Sequence, residues 1–277
     1  MTTKYKIIGG FTFMVLLLAG MITFANLRLG GIADGFVGYR AEARTAVSGN
    51  AADALIREAK DCISNFTLTL DPAFMDKARA SLAGSVEYIE AAVKVEVSAE
   101  LREQLGHEAQ VVKSMSALTQ SVQDGLIGAQ EVVNGPIVSA AGDIDKALSS
   151  LNAAGRTSGN NRILQLIDDA YTGFTNIRVI LRVYNASYQA DDGAKAVELL
   201  GKFDELVKNV SAAALTSEEM KLAGDLAGGF AKYNQGFVDM SGHIKSAMEA
   251  RAKMGEEATE LAEFFDEYTA DAQKTMR

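Results

Sequence analysis

The sequence predicts an all-α protein: six helices that form two stacked four-helix bundles sharing two long helices, preceded by an N-terminal transmembrane helix. Two features of composition point to helices. Only 2 Pro, no Trp and 7% aromatic residues occur in 277 residues, which is sparse for an all-β protein, whereas residues of high helix propensity such as Ala, Leu, Glu and Lys are abundant. The third observation is periodicity, because apolar residues recur three and four positions apart over long stretches.

The first element is an apolar segment long enough to cross a membrane. Ile7–Leu27 contains 21 consecutive uncharged residues, and about 20 apolar residues span a bilayer as a helix. Lys4 and Lys6 precede it, so the positive-inside rule places the N-terminus in the cytoplasm. The alternative is a cleaved signal peptide, but the apolar run is long for one and Thr23-Phe24-Ala25 is a poor cleavage site. We therefore expect an uncleaved anchor in the bacterial inner membrane, with residues from about 28 onward in the periplasm.

Three helices are predicted after the anchor in the first half of the chain. The first ends at Asp71-Pro72, because Pro cannot continue the helical hydrogen-bond ladder but can begin the next helix. A short second helix covers about 73–94. Ser98 is expected to cap the third helix, which continues to about 153 and bends at Pro136.

Three more helices are predicted in the second half. The segment 154–161, rich in Gly, Ser and Asn, predicts a loop. A fourth helix covers about 162–189 and ends at Asp191-Asp192-Gly193, and a fifth covers about 194–213. In Thr216-Ser217-Glu218-Glu219 a Thr is followed three residues later by Glu, which is the capping-box pattern. The last helix is expected to run from there to the end of the chain.

An internal repeat relates the two halves. The segment that starts at Ile56-Arg57 and the one that starts at Ile177-Arg178 are offset by 121 residues. At this offset Asp71 corresponds to Asp192, and each copy is followed by a short helix and a capped long helix. The sequence therefore predicts a duplicated helical hairpin, although unrelated helical hairpins also share such a pattern.

The helix lengths predict how the chain closes. At about 1.5 Å rise per residue, the third and last helices are long enough to take part in both bundles. The expected domains are a cytoplasmic tip with its anchor, 1–27, and an extracytoplasmic domain, 28–277. Within the latter, the lower bundle is formed by about 28–122 together with 245–277, and the upper bundle by about 123–244.

The positions of basic residues in this pattern resemble a known family. Ile56-Arg57-Glu58-Ala59-Lys60 precedes the turn at Asp71, and Asn176-Ile177-Arg178-Val179-Ile180-Leu181-Arg182-Val183-Tyr184 precedes Asp191-Asp192. With this order of helices, nearly the whole chain resembles the helical bimodular ligand-binding domain of bacterial chemoreceptors, the methyl-accepting chemotaxis proteins. The resemblance implies a sensor domain that binds small organic acids through paired basic residues, forms a homodimer and signals across the membrane through its terminal helices.

Arg57 and Lys60 form the candidate ligand-binding site of the lower bundle. Their spacing of three places both on one helix face. They lie among apolar residues, and a buried cation needs a partner, which a ligand carboxylate would supply. The alternative is a surface ion pair with Glu58 or Asp61. Lys60 stands where the resemblance implies a second Arg, and Lys acts as a point charge without bidentate geometry.

Arg178 and Arg182 form the candidate site of the upper bundle. They are four residues apart and therefore share a helix face. No acidic residue occurs in 172–189, so neither guanidinium group has a counter-ion nearby in the sequence. The counter-ion must come from another helix or from a ligand carboxylate.

Further residues are expected near the level of these two arginines. Tyr184 and Asn185 follow in the sequence and can donate to a carboxylate, with core packing as the alternative for Tyr184. Tyr233 and Lys232 of the last helix reach about the same level. Pro136 of the third helix does so too, and a proline can open the helix backbone to a ligand.

Composition excludes several function classes. A single Cys, 2 His and no catalytic or phosphate-binding motif leave little material for an enzyme, a metal centre or a bound cofactor, so we expect none of the three. The chain carries 27 basic and 36 acidic residues, a net charge of −9 without a basic cluster, which argues against nucleic acid as a partner. The expected partners are a small organic anion, the membrane and a second copy of the chain.

Two alternatives to a chemoreceptor remain open. The first is the sensor domain of a histidine kinase, in which a similar architecture occurs. The second is a helical bundle that docks a periplasmic binding protein. This second alternative predicts that Arg57, Arg178 and Arg182 are all paired with carboxylates inside the fold.

Overall fold

The computed structural model describes Met21, Thr23, Phe24 and residues 39–40, 43–95 and 98–275. Throughout these residues the regular structure is helical and no strand is present. The all-α prediction is therefore confirmed for this part of the chain. The helices are α1 (43–69), α2 (Pro72–Val95), α3 (Ala99–Val132), a π-helical turn (Val133–Ile137), α4 (Val138–Ser158), α5 (Asn161–Ser187), α6 (Ala190–Ala213) and α7 (Ser217–Thr275).

The predicted anchor lies almost entirely outside the described residues. Of Ile7–Leu27, the structure describes Met21, Thr23 and Phe24 only. Among the helices of the described part of the chain, none is both long and apolar enough to cross a membrane.

Helix starts follow the capping signals of the sequence. The carboxylate of Asp71 accepts a hydrogen bond from the backbone N–H of Ala73 at 3.0 Å, and Pro72 is the first residue of α2. The hydroxyl of Ser98 accepts from the N–H of Leu101 at 3.3 Å at the start of α3. Each bond satisfies an N–H group that has no partner within its own helix. The helix boundaries predicted at Asp71-Pro72 and at Ser98 are therefore confirmed.

The loop predicted at 154–161 is shorter in the structure. Helix α4 continues to Ser158, and only Gly159 and Asn160 connect it to α5. Gly159 has φ of 72°, a left-handed conformation that glycine adopts without strain. Asn160 caps α5 by accepting from the N–H of Ile163. Two residues thus make a tight connection where composition alone suggested a long one.

The turn between α5 and α6 lies upstream of its predicted position. Tyr188 has φ of 55° and ends α5, whereas Asp191 and Asp192 belong to the first turn of α6. Acidic side chains are favourable there because they face the positive end of the helix dipole. The prediction that these residues end α5 is wrong. The matching turn after α1 has its left-handed residue at Leu70, so the two turns are 118 residues apart and Asp71 does not match Asp192.

Pro136 is accommodated within a continuous helical path. The third predicted helix comprises α3, the π-helical turn and α4. A π-turn has i→i+5 hydrogen bonds and is wider than an α-turn. Pro136 has no N–H to donate, and the wider turn lets the ladder pass this position.

The chain divides into two compact units. The first contains the described residues of Met1–Ala59, Ala80–Ser114 and Glu257–Arg277, and the second contains Lys60–Arg79 and Met115–Glu256. The sequence analysis expected residues 60–79, around the turn between α1 and α2, in the lower bundle with the rest of 28–122. In the structure they belong to the second unit.

The first unit has a core drawn from α1, α2, α3 and α7. Helices α1 and α2 meet where Leu55 contacts Gly84 and where the hydroxyl of Ser81 donates to Glu58 at 3.0 Å. Helices α1 and α7 meet at Gly49, where a Cβ would lie 3.3 Å from the ring of Tyr268. Burial of such apolar side chains supplies most of the driving force for packing.

The core of the second unit combines α4, α5, α6 and α7, with contributions from the end of α3. Helix α5 packs on both α4 and α6. At its centre Phe174 contacts Tyr233 edge-on at 5.1 Å between ring centroids and lies 5.6 Å from Phe203, which in turn contacts Phe230 at 5.0 Å. These tilted and edge-on contacts are the favourable arrangements of aromatic rings.

Candidate ligand-binding site

The second unit contains a cavity of about 290 Å³. Its wall is formed by the π-helical turn and by α4, α5 and α7. The polar lining consists of Asp145, Arg178, Arg182, Asn185 and Tyr233, and the remaining lining residues are Val133, Ile137, Val138, Ala141, Gly142 and Leu181. The cavity lies at the lower end of the size range of small-molecule sites, roughly 300–1,000 Å³.

Arg178 finds its counter-ion on another helix. Its guanidinium group lies 3.2 Å from the carboxylate of Asp145 on α4, and both side chains line the cavity. The guanidinium carbon also lies 5.8 Å from the ring centroid of Phe174, within the range of a cation–π contact. The side chain of Arg178 is 45% exposed, so its ion pair adds only about 0–1 kcal/mol to stability.

Arg182 lies one helical turn after Arg178 and faces the same cavity. Among the residues that the structure describes, no carboxylate lies within ion-pair distance of its guanidinium group. The neighbouring Asn185 donates from its side-chain amide to Gln130 at 3.2 Å. Arg182, whose side chain is exposed, is therefore the cavity cation without a carboxylate partner among the described residues.

Tyr233 presents a hydroxyl to the cavity from a buried position. The residue is 1% exposed. Its hydroxyl has no hydrogen-bond partner within the described part of the chain, yet no buried side-chain polar atom there is unsatisfied. The hydroxyl is therefore not sealed from solvent, and Tyr233 is one of the residues that line the cavity.

The hydroxyl of Tyr233 stays protonated over the working pH range. Burial raises its pKa to about 12, and this effect exceeds the opposing influence of the positive charges of Arg178 and Arg182. The negative charge of Asp145 acts in the same direction as burial. A neutral phenol can donate one hydrogen bond to an anion.

The π-helical turn forms one wall of the cavity. Val133, at its start, and Ile137, at its end, both line it. On α7, a Cβ added at Gly236 would lie 2.8 Å from the side chain of Ile137, so the turn packs tightly against that helix. Single π-turns within α-helices are frequent at functional sites. Pro136 lies within this turn and is not itself a lining residue. The sequence analysis expected it near the level of Arg178, and the turn that contains it lines the same cavity as Arg178.

Tyr184 lies in the core and does not line the cavity. It is 5% exposed, and its hydroxyl is 3.2 Å from that of Ser241 on α7. Its ring lies against Gly193, where a Cβ would come within 3.1 Å of it. The structure therefore gives Tyr184 the core-packing role that the sequence analysis left as an alternative.

The two candidates on α1 are solvent-exposed. The side chain of Arg57 is 63% exposed and forms an ion pair at 2.8 Å with Asp53, one turn earlier on the same helix. This hydrogen-bonded carboxylate raises the pKa of Arg57. Lys60 is exposed as well. Arg57 thus adopts the surface-pair alternative, although with Asp53 as its partner rather than Glu58 or Asp61.

Lys232 also lies away from this cavity. It pairs with Asp143 on α4 at 3.1 Å, and its side chain is 70% exposed. Both residues line a separate, more polar cavity of about 350 Å³ between α4 and α7. Of the last-helix candidates, only Tyr233 reaches the two arginines.

Asp145 is a charged residue of the cavity wall that the sequence analysis did not single out. It lies nine residues after Pro136, whose level had already been placed near that of Arg178. A search for acidic residues within two or three turns of Pro136 would have found it.

The cavity is suited to holding an anion, and its described lining residues include no Ser, Thr, Cys, Lys or His. Its charged donors are two guanidinium groups, which can form bidentate hydrogen bonds with a carboxylate. Within the described residues, no group of three or more His, Cys, Asp or Glu could hold a metal ion. Comparison with known proteins finds no family model and no curated protein sequence that matches the chain.

Proposed function

We propose that the protein is the ligand-binding sensor region of a transmembrane chemoreceptor. It recognises a small organic acid and transmits a signal across the membrane through its terminal helices. The observation that carries this proposal is the cavity lined by Arg178, Arg182 and Tyr233, three residues predicted from the sequence as one site. The resemblance to helical bimodular domains supplies the sensory role.

The chemistry of the cavity favours a carboxylate ligand. Arg182 offers guanidinium donors that no described carboxylate neutralises, and Tyr233 offers a neutral hydroxyl beside them. Hydrogen bonds to charged groups contribute about 1.5–3 kcal/mol each. The whole chain has a net charge of −9 and does not attract anions in general. Selectivity for an anion must therefore come from these local donors.

The finer architecture belongs to this proposal as well. The second unit would be the upper four-helix bundle, with the first unit as the lower one. The inner-membrane anchor, the periplasmic location and the homodimer rest on the apolar segment Ile7–Leu27 and on the family resemblance.

The pairing of the arginines favours a small-molecule sensor over a docking bundle. The docking alternative requires carboxylate partners for all three arginines. Arg57 and Arg178 have such partners, in Asp53 and Asp145. Arg182 has none within the described part of the chain. A histidine-kinase sensor would use the same cavity, so this argument applies to it equally.

Isothermal titration calorimetry of the purified 277-residue chain tests the proposal. The probes are benzoate, isovalerate, succinate and citrate, with Arg182→Ala as the variant. Because a charged hydrogen-bond donor is removed, we expect the affinity for the acids that bind to fall at least about tenfold. The matched control is Arg162→Ala, which removes an exposed Arg from the same helix away from the cavity.

Two results would contradict the proposal. One is that none of the four acids binds the unmodified chain. The other is that Arg162→Ala and Arg182→Ala lower the affinity equally, which would place the ligand elsewhere. Retained affinity in Arg162→Ala with loss in Arg182→Ala supports the site.

A further inference from the structure

The cavity wall carries two positively charged side chains, but only one of them is left without a negatively charged partner in the wall. Arg178 and Arg182 contribute two positive charges, and Asp145 contributes one negative charge. The carboxylate of Asp145 lies 3.2 Å from the guanidinium group of Arg178, so this arginine is already paired within the protein. One positive charge therefore remains for a ligand.

From this balance we infer that the site selects acids with a single carboxylate and an apolar body, and that Asp145 is the residue that excludes a second carboxylate. The inference rests on the proposed function of the same cavity. It narrows the ligand from organic acids in general to apolar monocarboxylates.

Repulsion supplies the discrimination against dicarboxylates. Asp145 forms part of the wall of this cavity of about 290 Å³, so a second carboxylate placed against that part of the wall faces a like charge. Two like charges at about 4 Å repel by roughly 1 kcal/mol in water and by several times more in a partly desolvated site. Arg178 already has its charge offset by Asp145, so a second carboxylate that approaches Arg178 competes with Asp145 for the same guanidinium group.

The remainder of the wall suits an apolar body. Away from its charged residues the cavity is lined by Val133, Ile137, Val138, Ala141 and Leu181. Tyr233 adds an aromatic residue to this lining. A second carboxylate would have to be desolvated against these side chains, which is costly without a partner.

An α-amino acid is the ligand class that Asp145 would otherwise suit, since a carboxylate can hold an ammonium group. In this structure the same carboxylate is engaged by Arg178. An ammonium group would also add positive charge next to two guanidinium groups. The geometry therefore favours an acid without an amine, and leucine serves as the probe for the other class.

The test measures the affinities of benzoate, succinate and leucine for the full chain by titration calorimetry, before and after Asp145→Asn. We expect benzoate to bind the unmodified chain at least tenfold more tightly than succinate, with leucine weaker still. Asp145→Asn removes the repelling charge and releases Arg178. The ratio of succinate affinity to benzoate affinity should then rise at least tenfold.

The matched control is Asp143→Asn, which removes the same charge two residues earlier on α4. Asp143 pairs with Lys232 and lines the other cavity. We expect this variant to leave the affinity ratio within about twofold of that of the unmodified chain. The pair of variants separates the local effect of Asp145 from a general change in net charge.

The outcomes distinguish this inference from the proposed function. If succinate binds the unmodified chain as tightly as benzoate, or if both Asp variants change the ratio equally, the inference fails while carboxylate binding stands. If leucine binds more tightly than benzoate and Asp145→Asn abolishes leucine binding, the cavity is an amino-acid site and the inference of a monocarboxylate site is wrong. If none of the acids binds, the proposed function itself fails.

Discussion

A single carboxylate joins the two connections at one end of the second unit. Glu219 is fully buried and accepts hydrogen bonds from the hydroxyl of Ser158 at 2.5 Å, the amide of Asn160 at 3.2 Å and the backbone N–H groups of Leu215 and Thr216 at 2.7 and 3.2 Å. The capping box predicted at this position is confirmed, because the N–H of Glu219 donates to the hydroxyl of Thr216. The box thus also ties the connection between α4 and α5 to the start of α7.

The same hydrogen bonds control the ionisation of Glu219. Burial alone would raise the pKa of this group. The donors from Ser158, Leu215, Asn160 and Thr216 together outweigh burial and lower the pKa to about 2 from its ordinary value of 4.5. A carboxyl group whose pKa is lower in the folded state stabilises the fold above its unfolded-state pKa. We therefore expect this stabilisation to be complete above about pH 4.5 and to disappear as the pH falls towards 2.

Glu219→Gln tests this role. A glutamine places an amide NH₂ against a set of donors and removes the charge, so we expect a loss of about 2 kcal/mol in the free energy of unfolding at pH 7. The loss should become smaller at pH 3, because the unmodified carboxyl group is by then losing its advantage. Urea unfolding of the full chain at both pH values measures it. The control Glu218→Gln changes the neighbouring exposed residue, and an equal effect in both variants would contradict the assignment.

At the scale of the elements, α3 and α7 approach each other closely because glycines line their contact. A Cβ at Gly125 would lie 2.8 Å from the carbonyl oxygen of His243 and 2.8 Å from the Cβ of Ala247. A Cβ at Gly128 would lie 2.9 Å from the ring of His243. A backbone carbonyl cannot move aside as a side chain can, so Gly125 tolerates a larger residue less well than Gly128 does.

Gly125→Ala is expected to destabilise the second unit. Overpacking of this kind costs about 1–3 kcal/mol, which exceeds the gain of up to about 1 kcal/mol from the higher helix propensity of alanine. Gly224→Ala on α7 is the matched control, since a Cβ there has no atom within 4 Å, and it should stabilise slightly. Thermal unfolding of both variants measures the difference. Equal stabilisation by the two substitutions would mean that the helices do not meet at Gly125.

Helix starts were predictable from the sequence, whereas the lengths of the connections were not. Asp71, Ser98 and Glu219 each accept a hydrogen bond from an N–H group two to four residues away, so the local sequence is enough to predict these caps. The connection after α4 depends on Asn160, whose amide donates to the carbonyl of Ala213, 53 residues further along the chain. No local pattern reports such a contact.

At the scale of the whole molecule, the candidate site was predictable in part. Arg178 and Arg182 share a face by their spacing, and helix lengths placed Tyr233 at their level. The pair between Arg178 and Asp145 depends on which faces of α4 and α5 meet. Periodicity identifies an apolar face but not the rotation of one helix against another. Tyr184 illustrates the same limit, because the side of α5 that carries it packs into the core and not against the cavity.

The proposed transmission of a signal through α7 predicts that a bound acid has an effect outside the cavity. Helix α7 contributes Tyr233 to the site, and its residues 257–275 belong to the first unit. If ligand binding displaces α7, hydrogen exchange of the backbone amides in 257–268 should change when the tightest-binding acid saturates the full chain. Mass spectrometry of the exchanged peptides measures this, with Arg182→Ala as the control. Protection confined to peptides that line the cavity would indicate binding without transmission.

The π-helical turn has a consequence for the phase of the helical seam. From Met115 to Ala129 the buried positions of α3 alternate in steps of four and three, and from Ile137 to Leu151 those of α4 do so again. Between Ala129 and Ile137 the step is eight residues, whereas an uninterrupted heptad pattern would take seven. The π-helical turn around Pro136 accommodates this one extra residue. The buried faces of α3 and α4 therefore stay in phase and both face the core. Deleting one residue from the π-helical turn would therefore rotate the apolar seam of α4 out of phase with that of α3.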